Sequence, residues 1–172
     1  LAHNVNLAMK AIVGVACYGR LIGDEVYIEK ARGMAERLLK KIGKCDNTPL
    51  TLDGQGWSMK YNLLWDKVLH LSLISEAFYA NETKSYLARM NTYGLPLDSR
   101  ADYTKSDWLC WVAALAEDMD VRRALIAPIA RMLRETTSRV PFSDWYDTKT
   151  GRFVAFIGRS VQGGLFAPML RL

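Results

Sequence analysis

The 172-residue sequence holds only three cysteines and two histidines, and both shortages exclude whole classes of chemistry. Cys17, Cys45 and Cys110 are odd in number and lack the short paired spacings of zinc ligands, so neither a disulfide framework nor a metal site is expected. Cys17 and Cys110 fall in apolar helical stretches and read as small core residues. His3 reads as a surface or site-edge residue and His70 as a packed helix residue, neither with a legible cysteine or serine partner. No Gly-x-Ser-x-Gly elbow and no Ser-x-x-Lys occurs, which removes the familiar serine-hydrolase arrangements. No apolar run reaches the roughly 20 residues of a bilayer-spanning helix, so no membrane span is expected. No cofactor is called for.

Charge is also in short supply on one side only. Lys and Arg number 23 against 18 Asp and Glu, and the excess of +5 is spread along the chain. That distribution describes a solvated surface and predicts no nucleic-acid partner. Half of the residues are hydrophobic, which is ordinary globular composition and enough for a sizeable core. The chain opens on Leu1 inside a helical pattern, with neither a methionine nor a signal peptide, so residues 1–172 are expected to be one helical domain cut from a larger protein. The sequon Asn81-Glu82-Thr83 reads as a chance occurrence.

Seven helical segments are legible. Asn4 to Leu21 is apolar all round, with only Lys10 and Arg20 charged, and is expected to be buried. Asp24 to Ile42 repeats Ala31, Ala35, Leu38 and Ile42 against a charged face, with Asp24 as N-cap and Gly43 as stop. After the polar connection Lys44 to Gly56, Leu63 to Ile74 is again nearly all apolar, with Asp66 paired to Lys67 or a neighbouring loop. Glu76 to Met90 is amphipathic. A buried helix carrying Trp108, Trp111, Val112, Leu115 and Met119 follows, then amphipathic Val121 to Thr136, which Pro128 should kink or restart. The loop Val140 to Gly158 holds a Thr150-Gly151 turn and a candidate strand at Phe153 to Ile157, before a last apolar helix from Ser160 to Leu172.

Buried and amphipathic helices therefore alternate, as they do in an α/α toroid or solenoid of paired inner and outer helices. Every connection into an inner helix is long and polar, so polar and aromatic residues gather at the N-termini of the inner helices. The richest is Tyr93 to Trp111, YGLPLDSRADYTKSDWLCW. Pro96 fixes an extended approach, Asp98, Arg100, Asp102 and Lys105 crowd one loop, and Thr104 or Ser106 can cap the helix that Asp107 enters.

The strings WSMKYNLLWDKVL, YGLPLDSRADYTKSDWLCW, RVPFSDWYDT and GRSVQGG resemble, in order and over almost the whole chain, the central helical domain of the glutaminase A family. The resemblance implies an all-α fold, part of an (α/α)6 toroid, in a longer secreted or periplasmic protein that also has a β-rich N-terminal part against which this domain packs. It also implies hydrolysis of L-glutamine to glutamate and ammonia. The chain departs from the family at His70-Leu71-Ser72-Leu73-Ile74, where Gly and Asn are commoner, and at Gln162, where an apolar residue is.

The loops supply the parts for a small-molecule site. Asp98, Asp107, Asp144 and Asp147 offer a general base and a general acid. Arg100, Arg159, Lys60 and Lys105 offer cations for a substrate carboxylate, and Trp57, Tyr61 and Trp145 offer walls. For each aspartate the alternative is a helix cap or a structural ion pair to Arg100 or Arg159. Paired carboxylates among tryptophans also suit an inverting glycoside hydrolase, so the substrate is glutamine or a glycan, and a non-catalytic packing module is a third reading.

Overall fold

A computed structural model describes residues 1–43 and 48–171. Cys45 and the start of the first polar connection lie outside them. The chain is all-α, built of consecutive helix pairs, with one two-stranded ladder beside the central loop.

The first pair is α1 (Val5–Ile22) and α2 (Glu25–Ile42). The Asn4 side chain accepts from the Leu7 N–H at 2.9 Å and the Asp24 side chain from Val26 N–H at 2.9 Å, so each start is capped. Gly23, at φ 71°, ends α1 in the left-handed region that glycine enters without Cβ strain, and the chain reverses at once. Gly19 lets α2 close in: a Cβ there would stand 2.8 Å from Tyr27 Cβ. Val5, Met9, Ile12, Val13 and Ala16 face Ala31, Ala35, Leu38 and Ile42 in one core cluster.

α1 is not buried all round. Leu7, Tyr18, Leu21 and Ile22 are exposed, although Leu7 borders a trough beside Trp65 and Tyr18 meets Tyr27 of α2 edge to face at 5.0 Å. Its length and composition alone would let it cross a membrane, contrary to the expectation that no run is long enough; here its other face is packed into the core.

The second pair is shorter than its pattern. A 3-10 turn, Tyr61–Leu63, leads into α3 (Leu64–Val68), which stops six residues before the expected end. Asp66 explains the stop: its carboxylate accepts from the N–H groups of Leu73 and Ile74, at 3.0 and 3.2 Å, and from the Tyr79 hydroxyl at 2.5 Å. Those bonds pull the chain out of the helical path, so Asp66 pairs with the following loop rather than with Lys67. His70 and Ser72 adopt φ 51° and 55°, both left-handed. His70 is therefore an exposed loop residue, not a packed helix residue. The departures from Gly and Asn thus fall where those residues are cheapest. α4 (Glu76–Ser85) continues as a 3-10 turn, Tyr86–Arg89. Thr83 of the sequon is buried in α4 and bonds back to the Tyr79 carbonyl.

The third pair carries the site. β1 (Tyr103–Lys105) runs directly into α5 (Ser106–Leu115), whose Leu109, Cys110, Val112, Ala113, Ala114 and Leu115 are buried as expected. Met119 is not on that stripe; it opens α6 (Met119–Glu135), which continues over Pro128 without a restart and is capped by Asp118. β2 (Trp145–Asp147) pairs antiparallel with β1. The strand of this loop is therefore β2, not Phe153 to Ile157, where Phe153 makes a single bridge to Tyr146. The final segment, Ser160–Arg171, is 3-10 rather than α, and it lies along α5 with Phe166, Met169 and Leu170 exposed.

Candidate functional site

Register fixes the site. Lys105 lies directly opposite Trp145 across the ladder, so the two side chains share a face. The Lys105 ammonium sits 4.9 Å from the Trp145 ring and 4.6 Å from the ring of Trp108, in the first turn of α5. Trp145 continues the aromatic surface to Tyr103 and to Phe156, at centroid distances of 5.2 and 5.6 Å. The Arg159 guanidinium covers Phe156 at 4.5 Å and grips Asp144, with Nε 3.1 Å from Oδ1 and Nη2 on Oδ2. Asp144 is wholly buried, and its carbonyl receives the Ser106 N–H at 2.8 Å, which ties this ion pair to the start of α5.

Asp107 occupies the first turn of α5 and is 3% exposed. Burial pushes its carboxyl up to about 6; the like charge of Asp144 adds to the rise, while the Trp108 and Asp107 backbone N–H groups and the Lys105 ammonium oppose it. Its Oδ1 has no hydrogen-bond partner among the described residues, and neither has the Trp145 indole N–H. Capping did not arise as expected: Lys105 holds the N-cap position without a side-chain bond, and the buried hydroxyls of Thr104 and Ser106 are also unpartnered. Gly164 of the final segment presses on Asp107 from outside. A buried carboxyl raised toward neutrality can take and return a proton.

Asp98 and Arg100 form a second cluster. Arg100 donates from Nε and Nη2 to the two oxygens of Asp98, at 2.8 and 2.7 Å, and its backbone N–H reaches Oδ1 at 2.9 Å. The pair borders a cavity of about 290 Å³ with Asn6, Ser58, Tyr61 and Trp108. Trp57 lies on the outer side, near Arg89 and Arg100, with the Arg89 guanidinium 5.2 Å from its ring. Tyr61 joins the clusters. It stacks on Trp108 at 4.1 Å and 10°, its hydroxyl is pushed up to about 12 by burial, and it feels the charges of Asp98, Asp107 and Arg100.

Beyond that stack, a trough of about 620 Å³ runs between α1, α3 and α5, walled by Trp65, Trp111, Leu7, Val13 and Cys17, with Lys10 and Asn62 as polar members. Trp65 meets Trp111 edge to face at 5.5 Å. Cys17 thus lines a cavity, while Cys110 is a core thiol that burial pushes up to about 12.

The residues expected from sequence divide accordingly. Asp107, Asp144, Lys105, Arg159 and Trp145 come together; Asp98, Arg100 and Trp57 form the neighbouring group, and Tyr61 stands between. Lys60 belongs to neither. Its ammonium is fully buried, bonded to the Ser58 carbonyl at 2.6 Å, to the Ser58 hydroxyl at 2.9 Å and to the Thr48 carbonyl at 3.3 Å, with Glu82 at 3.9 Å. Asp147 binds its own turn, accepting from Lys149 and Thr150. Sequence reasoning placed Trp108 on a core stripe and left out Asn6 and Phe156. The WxxW spacing of Trp108 and Trp111, beside a loop of charges, was the available signal for the first.

Comparison with known proteins agrees with this architecture. The glutaminase A six helical-hairpin domain matches residues 1–169. The chain is 31% identical to a protein named glutaminase A from Aspergillus oryzae over 99% of its own length, and 29% identical over 97% to one named "Probable glutaminase" from Arthroderma benhamiae. It spans 27% and 24% of the lengths of those relatives, about a quarter in each case. A match across nearly every residue, on a fold of consecutive helical hairpins, makes this chain a member of the glutaminase A family, within its six helical-hairpin domain.

Proposed function

We propose that the protein of which this chain forms part hydrolyses the side-chain amide of L-glutamine, giving glutamate and ammonia, with Asp107 as the proton carrier. The observation that carries this reading is the Asp107 carboxyl, buried, raised to about 6 and holding one oxygen free of any partner among the described residues. Water attacks the amide carbon while its proton passes to ionised Asp107. The same proton then goes to the departing nitrogen as the C–N bond breaks, so ammonia leaves and Asp107 is regenerated. Asp144, gripped by Arg159, adds its like charge to the proton affinity of its neighbour. The names carried by the relatives support the substrate, and the loop chemistry supports the reaction class.

A second reading has its own support. The aromatic trough is far larger than an amino acid needs, and rings such as Trp65 and Trp111 suit the flat faces of sugars, so Asp107 and Asp144 would serve a glycoside hydrolase. Assaying the full-length protein for ammonia from glutamine, beside reducing sugar from a glycan panel, separates the two. Ammonia alone, lost on Asp107→Asn, supports the amidohydrolase; sugar alone overturns it.

A further inference from the structure

Of the four cations named from the sequence as candidates for a substrate carboxylate, three are already spent. Arg100 is held bidentately by Asp98, Arg159 by Asp144, and Lys60 by Ser58, Thr48 and Glu82. Lys105 differs. No carboxylate or carbonyl among the described residues bonds its ammonium, which rests instead on the faces of Trp108 and Trp145. Indole faces attract a cation and shed its water, but they take none of its three N–H donors. The Trp145 ring that supports it also carries a buried indole N–H with no partner among the described residues. The charged groups facing Lys105 are Arg159, Asp144 and Asp107.

We propose that Lys105 and the Trp145 indole N–H together receive a carboxylate of the ligand, which makes this a site for carboxylate-bearing small molecules and places the ligand's far end at Asp107. Both are donors that a carboxylate oxygen accepts, one charged and one neutral. A dianion such as phosphate is disfavoured, because Asp144 and Asp107 stand beside the same ammonium. A neutral glycan has no use for the cation. The assignment of the ligand's far end rests on the hydrolase reading of Asp107; the carboxylate pocket does not.

Binding of glutarate and of its neutral diamide, glutaramide, to the full-length protein by calorimetry tests the proposal. The wild type is expected to bind glutarate at least tenfold more tightly than glutaramide. Lys105→Met should erase that preference, glutarate losing far more affinity than glutaramide. Trp145→Phe, which keeps a ring under the ammonium and removes the N–H, should weaken glutarate three- to tenfold and decides the matter alone if Lys105→Met melts early. Equal affinity for the two probes in the wild type, binding of neither, or glutarate binding untouched in the variants overturns the proposal. A retained glutarate preference without any ammonia release would remove the Asp107 reading and leave the carboxylate pocket standing.

Discussion

Gly164 rests against Asp107 so closely that a Cβ on the glycine would stand 2.8 Å from the aspartate Cβ and 2.7 Å from the Trp111 indole nitrogen. No side chain fits there without displacing the 160–171 segment from α5, so the glycine is what lets that segment cover the carboxyl. Gly164→Ala should therefore cost about 1–3 kcal/mol through overpacking. Hydrogen exchange of the α5 amides in the full-length protein reads it: protection should fall across the first turn. Unchanged protection there would mean that the segment does not clamp Asp107.

The same carboxyl sets a pH dependence of stability. Folded Asp107 keeps its proton up to about pH 6, whereas the ordinary value is 3.8, so between those values the folded state binds more protons than the unfolded chain. Stability must fall as pH rises from about 4 to about 6 and stay reduced above. Asparagine has no proton to lose. Asp107→Asn should thus be more stable than the wild type by about 1–2 kcal/mol at pH 8, with the gap closing toward pH 4. A variant that loses stability at pH 8 but not at pH 4 would reverse the sign and refute the buried-carboxyl account.

Lys60 and Glu82 form a buried pair that holds Thr48, Ser58 and Tyr86 together. Burial lowers the Lys60 ammonium to about 8, with Glu82 the main opposing charge. Removing either partner alone leaves a buried group uncompensated, and Lys60→Met should cost about 3–5 kcal/mol. Lys60→Met with Glu82→Gln should cost clearly less than the two single changes summed. Simple additivity in that double-mutant cycle would show the two charges to be independent.

His70 and Ser72 carry left-handed backbone at residues with a Cβ. His70→Gly and Ser72→Asn should each stabilise the loop after α3 by about 0.5–1 kcal/mol, measured as slower exchange of the Leu73 and Ile74 amides that Asp66 holds. Faster exchange in both variants would show the strain to be compensated by contacts of those side chains.

These residues also mark where the sequence could be read and where it could not. The long apolar patterns of α1, α2, α5 and α6 were legible because each spans several turns of helical period. So was the delivery of Asp107 into a buried helix, since proline, turn residues and charges crowd just before it. α3 was overread because its apolar period continues to Ile74, and only Asp66 reaching forward to two backbone N–H groups ends it. β1 and β2 are three residues each, too short for an alternating pattern. The cations looked interchangeable in sequence; what separates Lys105 from Arg100, Arg159 and Lys60 is which of them already has a partner, and that depends on residues far away in the chain.

Asp107 as the proton carrier is tested most directly by the pH profile of kcat/KM for ammonia release from glutamine by the full-length protein. As the base that must be ionised to activate water, Asp107 predicts a rate that climbs tenfold per pH unit at low pH and levels off above an apparent pKa near 6. Asp107→Asn should lose at least about 100-fold in kcat/KM, and its residual rate should lack that limb. A wild-type profile flat between pH 5 and 7, or an Asp107→Asn enzyme that keeps both the rate and the limb, would contradict it.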